Sequence, residues 1–349
     1  MGMSFWQNKR VLITGHTGFK GSWLAFWLKS LGAEVCGYSL APETSPNLFE
    51  NLQLGGQITS ILGDIADLPS FEKTLREFQP EIIFHLAAQS LVRRSYREPV
   101  QTYQTNVIGT VNILEAIRHS DSVKAAVIIT TDKVYENKEW LWAYRENERL
   151  GGFDPYSNSK ACAELAVSAY QNSFFAKSDI LIATARAGNV IGGGDWCEDR
   201  LIPDVFRSLV LGEKLSIRNP YSIRPWQFVL EPLSGYLTLA EKLFSGDKNY
   251  VGAWNFGPRD EDTQTVGWIL EEIRQIWNEP VNWEIDQGEQ PHEARLLKLD
   301  STKAKIELKW LPKLSLVEGL KLTTEWYRGF RDKQDLIELT KNQLEFYQK

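Results

Sequence analysis

A tyrosine and a lysine lie four residues apart in the segment Asp154-Pro-Tyr156-Ser-Asn-Ser-Lys160, where the pattern predicts the start of a helix. Residues at this spacing share one face of a helix. Because a nearby ammonium favours the ionised form of a phenol, Tyr156 is a candidate base for removing a proton from a hydroxyl group. The spacing alone is weak evidence, and a structural pair remains the alternative.

A second polar segment, Thr131-Asp132-Lys133, follows an apolar run that ends at Thr130. The carboxyl ends of strands in an open α/β sheet point into the ligand crevice. We therefore expect Thr131 to hydrogen-bond the same hydroxyl group and Asp132 to act as an acid beside it. The structural alternatives are that Thr131 caps a strand end and that Asp132 caps a turn.

A glycine-rich segment, Gly15-His-Thr-Gly18-Phe-Lys-Gly21, follows the first predicted strand and opens the first predicted helix. Glycines at this junction permit a tight turn and a close approach of the backbone to a pyrophosphate, and the helix N-terminus supplies free N–H groups. The position predicts a dinucleotide site, with a ligand-free turn as the alternative. The candidate contacts are Gly15, Thr17, Gly18, Phe19 and Lys20.

Short apolar runs alternate with helical patterns in the first half of the chain. Strands are predicted at 10–14, 33–38, 58–63, 82–86, 125–130 and 180–185, and helices at 21–31, 68–78, 99–119 and 156–174. This alternation predicts an α/β fold, a Rossmann-type doubly wound parallel sheet with a smaller mixed α/β lobe. We expect a dinucleotide-binding domain over 1–187 with a return near 225–256.

The second half is less regular, with prolines and glycines that mark loops. Residues 188–349 are expected to form mainly the substrate-binding domain. Within them a returning strand is predicted at 251–256, helices are predicted at 265–277, 301–305 and 315–333, and a surface helix within 332–349.

Composition excludes several classes of protein. The 349 residues are 43% hydrophobic and carry a net charge of −6, which predicts a sizeable core and disfavours a nucleic-acid partner. The three cysteines are odd in number and form no Cys-x-x-Cys pair, and the four histidines show no metal-ligand spacing. With no signal pattern or membrane-length apolar run, we expect a cytoplasmic protein without a metal site.

The Gly-x-x-Gly-x-x-Gly spacing resembles that of the short-chain dehydrogenase/reductase superfamily. Gly63-Asp64-Ile65 resembles the adenine contact of that family, and the segment from His85 to Gln89 resembles its cofactor-lining segment. The resemblance implies that Lys160 also holds the nicotinamide ribose. The further cofactor contacts that it implies are Asp64, Ile65, Leu86, Ala87, Ala88, Gln89, Asn106, Tyr156 and Lys160, with Asn106 as a structural asparagine.

The end of the second predicted strand departs from the family pattern. Tyr38-Ser39-Leu40 contains no carboxylate to hold the adenosine ribose, and no basic residue follows closely to favour a 2′-phosphate. Ser39 is the candidate ribose contact. The choice of NAD over NADP therefore depends on the resemblance.

Asp132 separates the reaction classes, because a simple dehydrogenase or epimerase needs no additional acid. Over nearly its whole length the chain resembles the nucleotide-sugar 4,6-dehydratases, and within them the branch that acts on CDP-glucose. The resemblance implies oxidation at C4, loss of the C5 proton and the C6 hydroxyl, and return of the hydride to C6 with NAD regenerated. The product would be a 4-keto-6-deoxy sugar for deoxysugar biosynthesis.

Lys133 stands where the dTDP-glucose branch usually has the glutamate regarded as the C5 base. Lys133 with a depressed pKa, or Tyr156 acting a second time, would replace that base. An ion pair of Lys133 with Asp132 or with a substrate phosphate is also open.

Substrate-binding candidates follow from the same resemblance and from side-chain chemistry. Asn189 matches an asparagine that binds the substrate diphosphate or sugar in related enzymes, and Trp196 would either stack on a base or fill the core. Planar guanidinium groups suit two phosphate oxygens, whereas a solvated surface is the default for arginine. The candidates are Ser90, Arg94, Asn189, Trp196, Arg218, Arg224 and Arg295.

The resemblance also implies partners. We expect CDP-glucose as substrate and a homodimer, or a dimer of dimers, through the helices near 99–119 and 156–174; packing of these helices within one chain is the alternative. The competing functions are a nucleotide-sugar 4-epimerase and a non-catalytic nucleotide-sugar sensor on the same fold.

Overall fold

The computed structural model describes residues 3–281, 283–286, 288 and 294–349. His292, one of the four histidines, lies outside the described residues. The strands are β1 (Arg10–Thr14), β2 (Glu34–Ser39), β3 (Thr59–Leu62), β4 (Ile82–His85), β5 (Ala125–Ile129), β6 (Leu181–Ala187), β7 (Asn189–Ile191), β8 (Leu215–Ile217), β9 (Ile223–Phe228), β10 (Gly252–Phe256), β11 (Thr263–Thr265) and β12 (Trp283–Ile285).

The α-helices enclose this framework. They are α1 (Met3–Trp6), α2 (Phe19–Ser30), α3 (Leu48–Asn51), α4 (Leu68–Phe78), α5 (Val92–Arg97), α6 (Pro99–Tyr103), α7 (Gly109–Arg118), α8 (Pro155–Tyr170), α9 (Leu201–Leu211), α10 (Leu230–Phe244), α11 (Val266–Trp277), α12 (Leu316–Arg331) and α13 (Leu336–Gln348).

A parallel sheet is the centre of the fold. In the described chain it contains seven strands in the order β10-β6-β5-β4-β1-β2-β3. Side chains of β1 alternate between two apolar clusters: Val11 and Ile13 belong to one, and Leu12 to the other. Both faces of the sheet are therefore covered, which confirms the predicted doubly wound α/β class.

The sheet order places the functional edge. β1 and β4 are neighbours although two strands and their connections separate them in the chain. The chain continues from β1 to β2 and β3 on one side of β1, whereas β4 and β5 lie on its other side, so the strand order reverses between β1 and β4. In open α/β sheets, ligands bind in the crevice at the carboxyl ends of the strands where the order reverses.

Smaller sheets form much of the second half. β7 pairs with β9 in parallel and β11 pairs with β9 in antiparallel, while β8 pairs with β12. The predicted domain boundary lies between β6 and β7. Later in the chain, β10 adds beside β6 at the edge of the large sheet.

Two long predicted helices are each broken by a π-helical turn. Gln104–Ile108 separates α6 from α7, and Gln171–Phe175 follows α8. A π turn at Ala304–Leu308 overlaps the end of the helix that was predicted at 301–305 and extends beyond it. Each of these turns spans only five residues, and side-chain periodicity over so short a stretch does not distinguish a π turn from an α turn.

The C-terminal helix α13 is not only a surface element, in contrast to the expectation. Leu344 and Tyr347 are buried in the main apolar cluster. The Tyr347 hydroxyl donates to Oε2 of Glu231 on α10 at 2.8 Å. The helix thus presents one apolar face to the core, which is the usual arrangement for an amphipathic helix. Within the described ranges, no helix has both the length and the apolar character needed to cross a bilayer.

Candidate active site

A cavity of about 800 Å³ opens where β1, β4 and β5 end. Its wall includes the residues that directly follow these strands, which are Gly15, Leu86 and Thr130. Most residues singled out from the sequence lie on this wall, although they come from distant parts of the chain. They are Gly15, Thr17, Gly18, Phe19, Lys20, Ser39, Asp64, Ile65, Leu86, Ala87, Ala88, Gln89, Ser90, Arg94, Thr131, Asp132, Lys133, Tyr156, Lys160, Asn189, Trp196, Arg218 and Arg224.

Asn106 and Arg295 do not lie on the wall. Asn106 is buried, accepts a hydrogen bond from the Gln89 amide at 2.9 Å and donates to Ser159 at 2.9 Å. It therefore supports the wall from behind, as a structural asparagine would, and a direct contact of Asn106 with the cofactor stays a prediction. Arg295 has an exposed side chain, whereas its carbonyl accepts from the Ile223 amide at 3.0 Å. Only the backbone of Arg295 faces this part of the fold, because the side chain points to solvent.

The glycine-rich turn has no room for side chains. Gly15 has φ +78°, and a Cβ there would lie 2.7 Å from the Ala87 nitrogen. A Cβ at Gly21 would lie 2.0 Å from the Gly15 carbonyl oxygen. The turn thus packs against both β4 and the start of α2, whose N-cap is Gly18 with no side chain occupying the cap. Backbone N–H groups at such a helix start suit a pyrophosphate.

Hydroxyl groups occupy the end of β2, where a carboxylate would usually stand. Thr17 Oγ1 lies 2.8 Å from Ser39 Oγ and donates to the Leu40 carbonyl at 2.9 Å. Asp64 is exposed after β3, and its carboxylate accepts from the Ala66 amide at 2.9 Å. These groups form the polar end of the cavity at which an adenosine would be held.

Helix α8 positions Tyr156 and Lys160. Its N-cap residue Asp154 accepts from the Ser157 amide at 2.9 Å, so the helix begins at Pro155 and places both side chains on one buried face. The Lys160 ammonium donates to the Ile129 carbonyl at 3.0 Å, at the end of β5. This bond fastens the helix to the strand that leads into Asp132.

The electrostatics of this pair differ from the simple expectation. Burial raises the pKa of Tyr156 to about 12, although a hydrogen bond with Thr131 and the charge of Arg200 act in the opposite direction. Burial, together with the nearby Lys20, lowers the pKa of Lys160 to about 7. In the chain by itself, removing both groups from water disfavours both charged forms, and the expectation that Lys160 favours the ionised form of Tyr156 stays a prediction.

Asp132 lies next to Tyr156 in a short 3₁₀ turn, Asp132–Val134, which Thr131 caps. Its Oδ1 accepts from the Thr131 hydroxyl at 3.0 Å, whereas its buried Oδ2 has no hydrogen-bond partner among the described residues. Burial raises the pKa of Asp132, and the charges of Lys133, Arg224 and Lys20 oppose this effect only partly. A raised pKa favours the protonated form, which is the form in which a carboxyl group can donate a proton.

Arg200 is a polar residue of the cavity wall that the sequence did not single out. Arg200 donates to Ser90 Oγ at 2.7 Å and to Asp195 Oδ2 at 3.1 Å, and it lies close enough to lower the pKa of Tyr156. It directly precedes α9, and the only signal in the sequence was a basic residue before a helix. Lys20 lies close enough to Arg200 for that charge to lower its pKa, so two basic side chains meet at this part of the wall.

The substrate side of the cavity also includes Asn189, Arg218 and Arg224. Asn189 begins β7, and Arg218 donates to the Asp199 carbonyl at 3.1 Å. Arg224 is buried on β9 and donates to the Arg295 carbonyl at 3.3 Å. A buried guanidinium bonded to backbone carbonyls is fixed in its direction, as recognition of phosphate oxygens requires.

Two further candidates are constrained by their neighbours. Trp196 is 3% exposed and packs against Tyr327 with ring centroids 5.1 Å apart, which favours the structural role over stacking on a base. Arg94 pairs with Glu98 at 2.8 Å and with Glu43 at 3.1 Å. Its charge is thus partly compensated before any substrate binds.

Comparison with known proteins agrees with this geometry. The model of the GDP-mannose 4,6 dehydratase family matches residues 12–323. The chain belongs to this family. It is 50% identical to the CDP-glucose 4,6-dehydratase of Salmonella typhimurium, in an alignment that covers 99% of this chain and 97% of that protein. It is 28% identical to the dTDP-glucose 4,6-dehydratase of Xanthomonas campestris over 328 residues, covering 90% of this chain and 92% of the relative.

Solved structures of similar fold include both epimerases and dehydratases. The UDP-glucose 4-epimerase of Thermotoga maritima, solved with UDP-glucose, has a TM-score of 0.80 at 26% identity and covers 92% of this chain and 99% of its own. The dTDP-glucose 4,6-dehydratase of Bacillus anthracis, in complex with NAD, has a TM-score of 0.78 at 24% identity and covers 94% and 99%. At 24% identity, the similarity to the Bacillus anthracis structure shows a shared fold only.

Proposed function

We propose that the protein is an NAD-dependent hydro-lyase that converts CDP-D-glucose to CDP-4-dehydro-6-deoxy-D-glucose and water. The observation that carries the proposal is the buried Asp132, a carboxylic acid with a raised pKa beside Tyr156. Oxidation at C4 alone would not need this acid. The preference for CDP is supported by the 50% identity to the Salmonella enzyme.

The residues at the end of β1 and β2 fit NAD. The crowding at Gly15 and Gly21 brings backbone, rather than side chains, to the start of α2, and Ser39, Asp64 and Lys160 would contact the ribose and adenine parts. Bound there, NAD supplies the acceptor for a hydride and, in its reduced form, the donor.

After losing its own proton to solvent, Tyr156 as a phenolate takes the proton of the C4 hydroxyl in the first step, and Thr131 hydrogen-bonds the same group. The pKa of about 12 means that cationic groups must stabilise the phenolate as it forms, and Arg200 already acts in this direction. Lys160, one helical turn away, has the position to add to this effect.

Asp132 donates its proton to the C6 hydroxyl, which leaves as water. We assign removal of the C5 proton, and its return to C5 in the last step, to the uncharged amine of Lys133, the cavity residue next to Asp132. A K133A variant would then form reduced cofactor but exchange the C5 proton with solvent slowly. Unchanged C5 exchange in this variant would instead assign the step to Tyr156.

On the substrate side, we assign binding of the diphosphate to Arg224 and Arg218, and binding of the hexose to Ser90 and Asn189. Arg200 would act together with the other two arginines to balance the negative charge of the substrate. Guanidinium groups are suited to this role because each presents two parallel N–H donors. Arg94 remains a prediction as a sugar contact, since it lies on the wall but is paired with carboxylates.

A nucleotide-sugar panel tests the proposal. The purified protein with NAD is incubated with CDP-, dTDP-, GDP- and UDP-glucose in D₂O, and the 4-keto product is followed by its absorbance and by NMR. We expect turnover with CDP-glucose and deuterium at C5. Absence of turnover with all four sugars, despite binding, would instead favour a nucleotide-sugar sensor.

A 4-epimerase is the second candidate function, because the Thermotoga epimerase superposes at a TM-score of 0.80. Epimerisation at C4 leaves the C5 proton in place. Recovery of CDP-galactose without deuterium at C5 would therefore establish this candidate and exclude dehydration.

We also propose a homodimer through the faces of α6, α7 and α8. Large apolar side chains are exposed on these helices and on the π turns that continue them: Val100, Ile108, Leu165 and Phe174. Leu165→Arg should lower the mass measured by light scattering to that of the monomer, whereas Ile306→Arg, at a comparably exposed site elsewhere, should not. A dimer mass that survives Leu165→Arg would exclude this interface.

We place the reaction in the cytoplasm. The support is that Cys36, Cys162 and Cys197 are all free, as expected in a reducing compartment. Fractionation of cells that produce the protein, with an antibody against it, tests this assignment, and recovery in an extracytoplasmic fraction would contradict it.

A further inference from the structure

The buried face of α8 continues beyond Tyr156 and Lys160 to Glu164, which lies one further turn along the helix. Glu164 is 5% exposed and pairs with Arg186 of β6, which is 2% exposed. No step proposed above uses this pair. Burying two charges costs free energy, so such a pair is poor evidence for stability by itself and calls for another role.

Both oxygens of the Glu164 carboxylate are fully engaged. Oε1 accepts from the Thr130 hydroxyl at 2.5 Å and from Arg186 Nε at 2.8 Å. Oε2 accepts from the Thr184 hydroxyl at 2.6 Å and from Arg186 Nη2 at 3.0 Å. One carboxylate thus joins α8 to β6 and to Thr130, the residue directly before Thr131 and Asp132.

Arg186 extends the connection on the other side of the catalytic turn. Its Nη1 donates to the Tyr135 hydroxyl at 2.8 Å and to the Glu146 carbonyl at 3.1 Å. Tyr135 in turn donates to Asn255 Oδ1 at 2.7 Å on β10. The segment with Asp132 and Lys133 is therefore held at both its ends, by Thr130 and by Tyr135.

We propose that Glu164 and Arg186 are positioning residues that hold the tyrosine and lysine of α8 in register with the acid that follows β5. The inference rests on the proposed function, because the register matters only if both groups act on one substrate. Neither residue lines the cavity as a contact for substrate, so they act through Thr130, Tyr135 and the helix.

Glu164 also influences the charge of Lys160. The charged or titratable groups near Lys160 are Lys20 from α2, His85 from β4, and Tyr156 and Glu164 on its own helix. Lys20 lowers the pKa of Lys160, whereas Glu164 raises it. The side chain that fixes the register therefore also favours the protonated form of the ammonium.

Glu164→Gln removes the charge and preserves the size of the side chain. The matched control is Glu231→Gln, because Glu231 is an equally buried carboxylate on α10 that accepts from the Leu314 amide at 2.7 Å, away from the cavity. The first readout uses no substrate: Lys160 is labelled with a small amine-reactive reagent across a pH series, and the modified peptide is quantified by mass spectrometry. We expect the midpoint of Lys160 reactivity to move to lower pH in Glu164→Gln and to stay unchanged in Glu231→Gln.

The second readout is the formation of the 4-keto product from CDP-glucose. We expect kcat to fall by up to about 100-fold in Glu164→Gln with KM nearly unchanged, as for a small misplacement of reacting groups. The alkaline limb of its pH profile should also move to lower pH. If Glu164→Gln does not fold, Arg186→Lys is used instead. Lysine keeps the positive charge but cannot donate to both oxygens of the Glu164 carboxylate at once, so we expect the same loss in kcat.

An unchanged midpoint for Lys160 in folded Glu164→Gln, or wild-type kcat in Arg186→Lys, would overturn the inference. If the wild-type protein does not act on CDP-glucose, the proposed function fails, whereas the labelling experiment still tests the role of Glu164.

Discussion

The catalytic side of the cavity takes its polar groups from two continuous segments, whereas the substrate side takes them from several separate ones. Thr131 and Asp132 are adjacent in the chain, and Tyr156 and Lys160 lie on one helix. On the substrate side, Asn189 is on β7, Arg200 precedes α9, Arg218 follows β8 and Arg224 is on β9. Short-range spacing therefore determines the first group, and the packing of the second half of the chain determines the other.

The largest expected effect is on the catalytic side. Tyr156→Phe removes the group that accepts the C4 proton, and we expect turnover to fall by about 10²-fold to 10⁴-fold. Binding of CDP, measured by calorimetry, should stay the same because the ring remains. Tyr103→Phe is the control, since this hydroxyl donates to Asn158 at 2.7 Å away from the cavity. Retained formation of reduced cofactor in Tyr156→Phe would remove the tyrosine from the mechanism.

Asp132→Asn should separate the two chemical steps. Oxidation continues, but elimination slows by about 100-fold because no acid assists the leaving hydroxyl, so absorbance of the reduced cofactor accumulates. The control is Asp262→Asn, a buried carboxylate that accepts from the Leu316 amide at 2.7 Å.

The pH dependence gives a second test of Asp132. Burial raises its pKa, and only the protonated form donates a proton. Elimination in the wild-type protein should therefore be fastest below that pKa and should decline as the pH rises through it, whereas Asp132→Asn should lack this decline. Normal turnover in the variant would show that another group is the acid.

On the substrate side, Arg224 and Arg295 test the difference between a buried and an exposed guanidinium. Arg224→Ala should raise KM for CDP-glucose by about 10-fold to 100-fold, as expected for lost hydrogen bonds to a charged group. Arg295→Ala is the matched control and should change KM little, because its side chain is exposed and its backbone contacts remain. Equal effects of the two variants would contradict the placement of Arg295 outside the cavity.

The smallest effect is expected at Trp196. Trp196→Phe should destabilise the fold by less than about 1.5 kcal/mol, because another aromatic ring fills most of the same space. The affinity for CDP should be unchanged if the ring is part of the core. Thermal unfolding and calorimetric titration measure these quantities, and a lower affinity without a lower melting temperature would restore the base-stacking role.

Much of the large sheet could be predicted from the sequence. Apolar runs such as 10–14 and 125–130 become β1 and β5 with nearly the same ends, because both faces of a parallel sheet are covered and the runs are accordingly apolar throughout. The helix with Tyr156 and Lys160 begins one residue before its predicted start. These features depend on short stretches of chain.

The errors concern features that depend on distant contacts. Arg295 was grouped with Arg224 because both are arginines in the second half, yet one points to solvent and the other is buried. Arg200 was missed because its partners, Ser90 and Asp195, are brought together only by folding. The spacing to Lys160 does not reveal the pKa of Tyr156 either, because burial is the main cause that raises it.

By itself, the sequence determined the chemical groups and their local geometry: a phenol and an ammonium one helical turn apart, an acid at a strand end, and a glycine turn before a helix. The tertiary structure decided which arginines reach the cavity, which oxygens of Glu164 and Asp132 find partners, and in which direction each pKa moves. The physical reason is that helical and strand spacing acts over a few residues, whereas dehydration and charge–charge interactions depend on every segment that packs around a group.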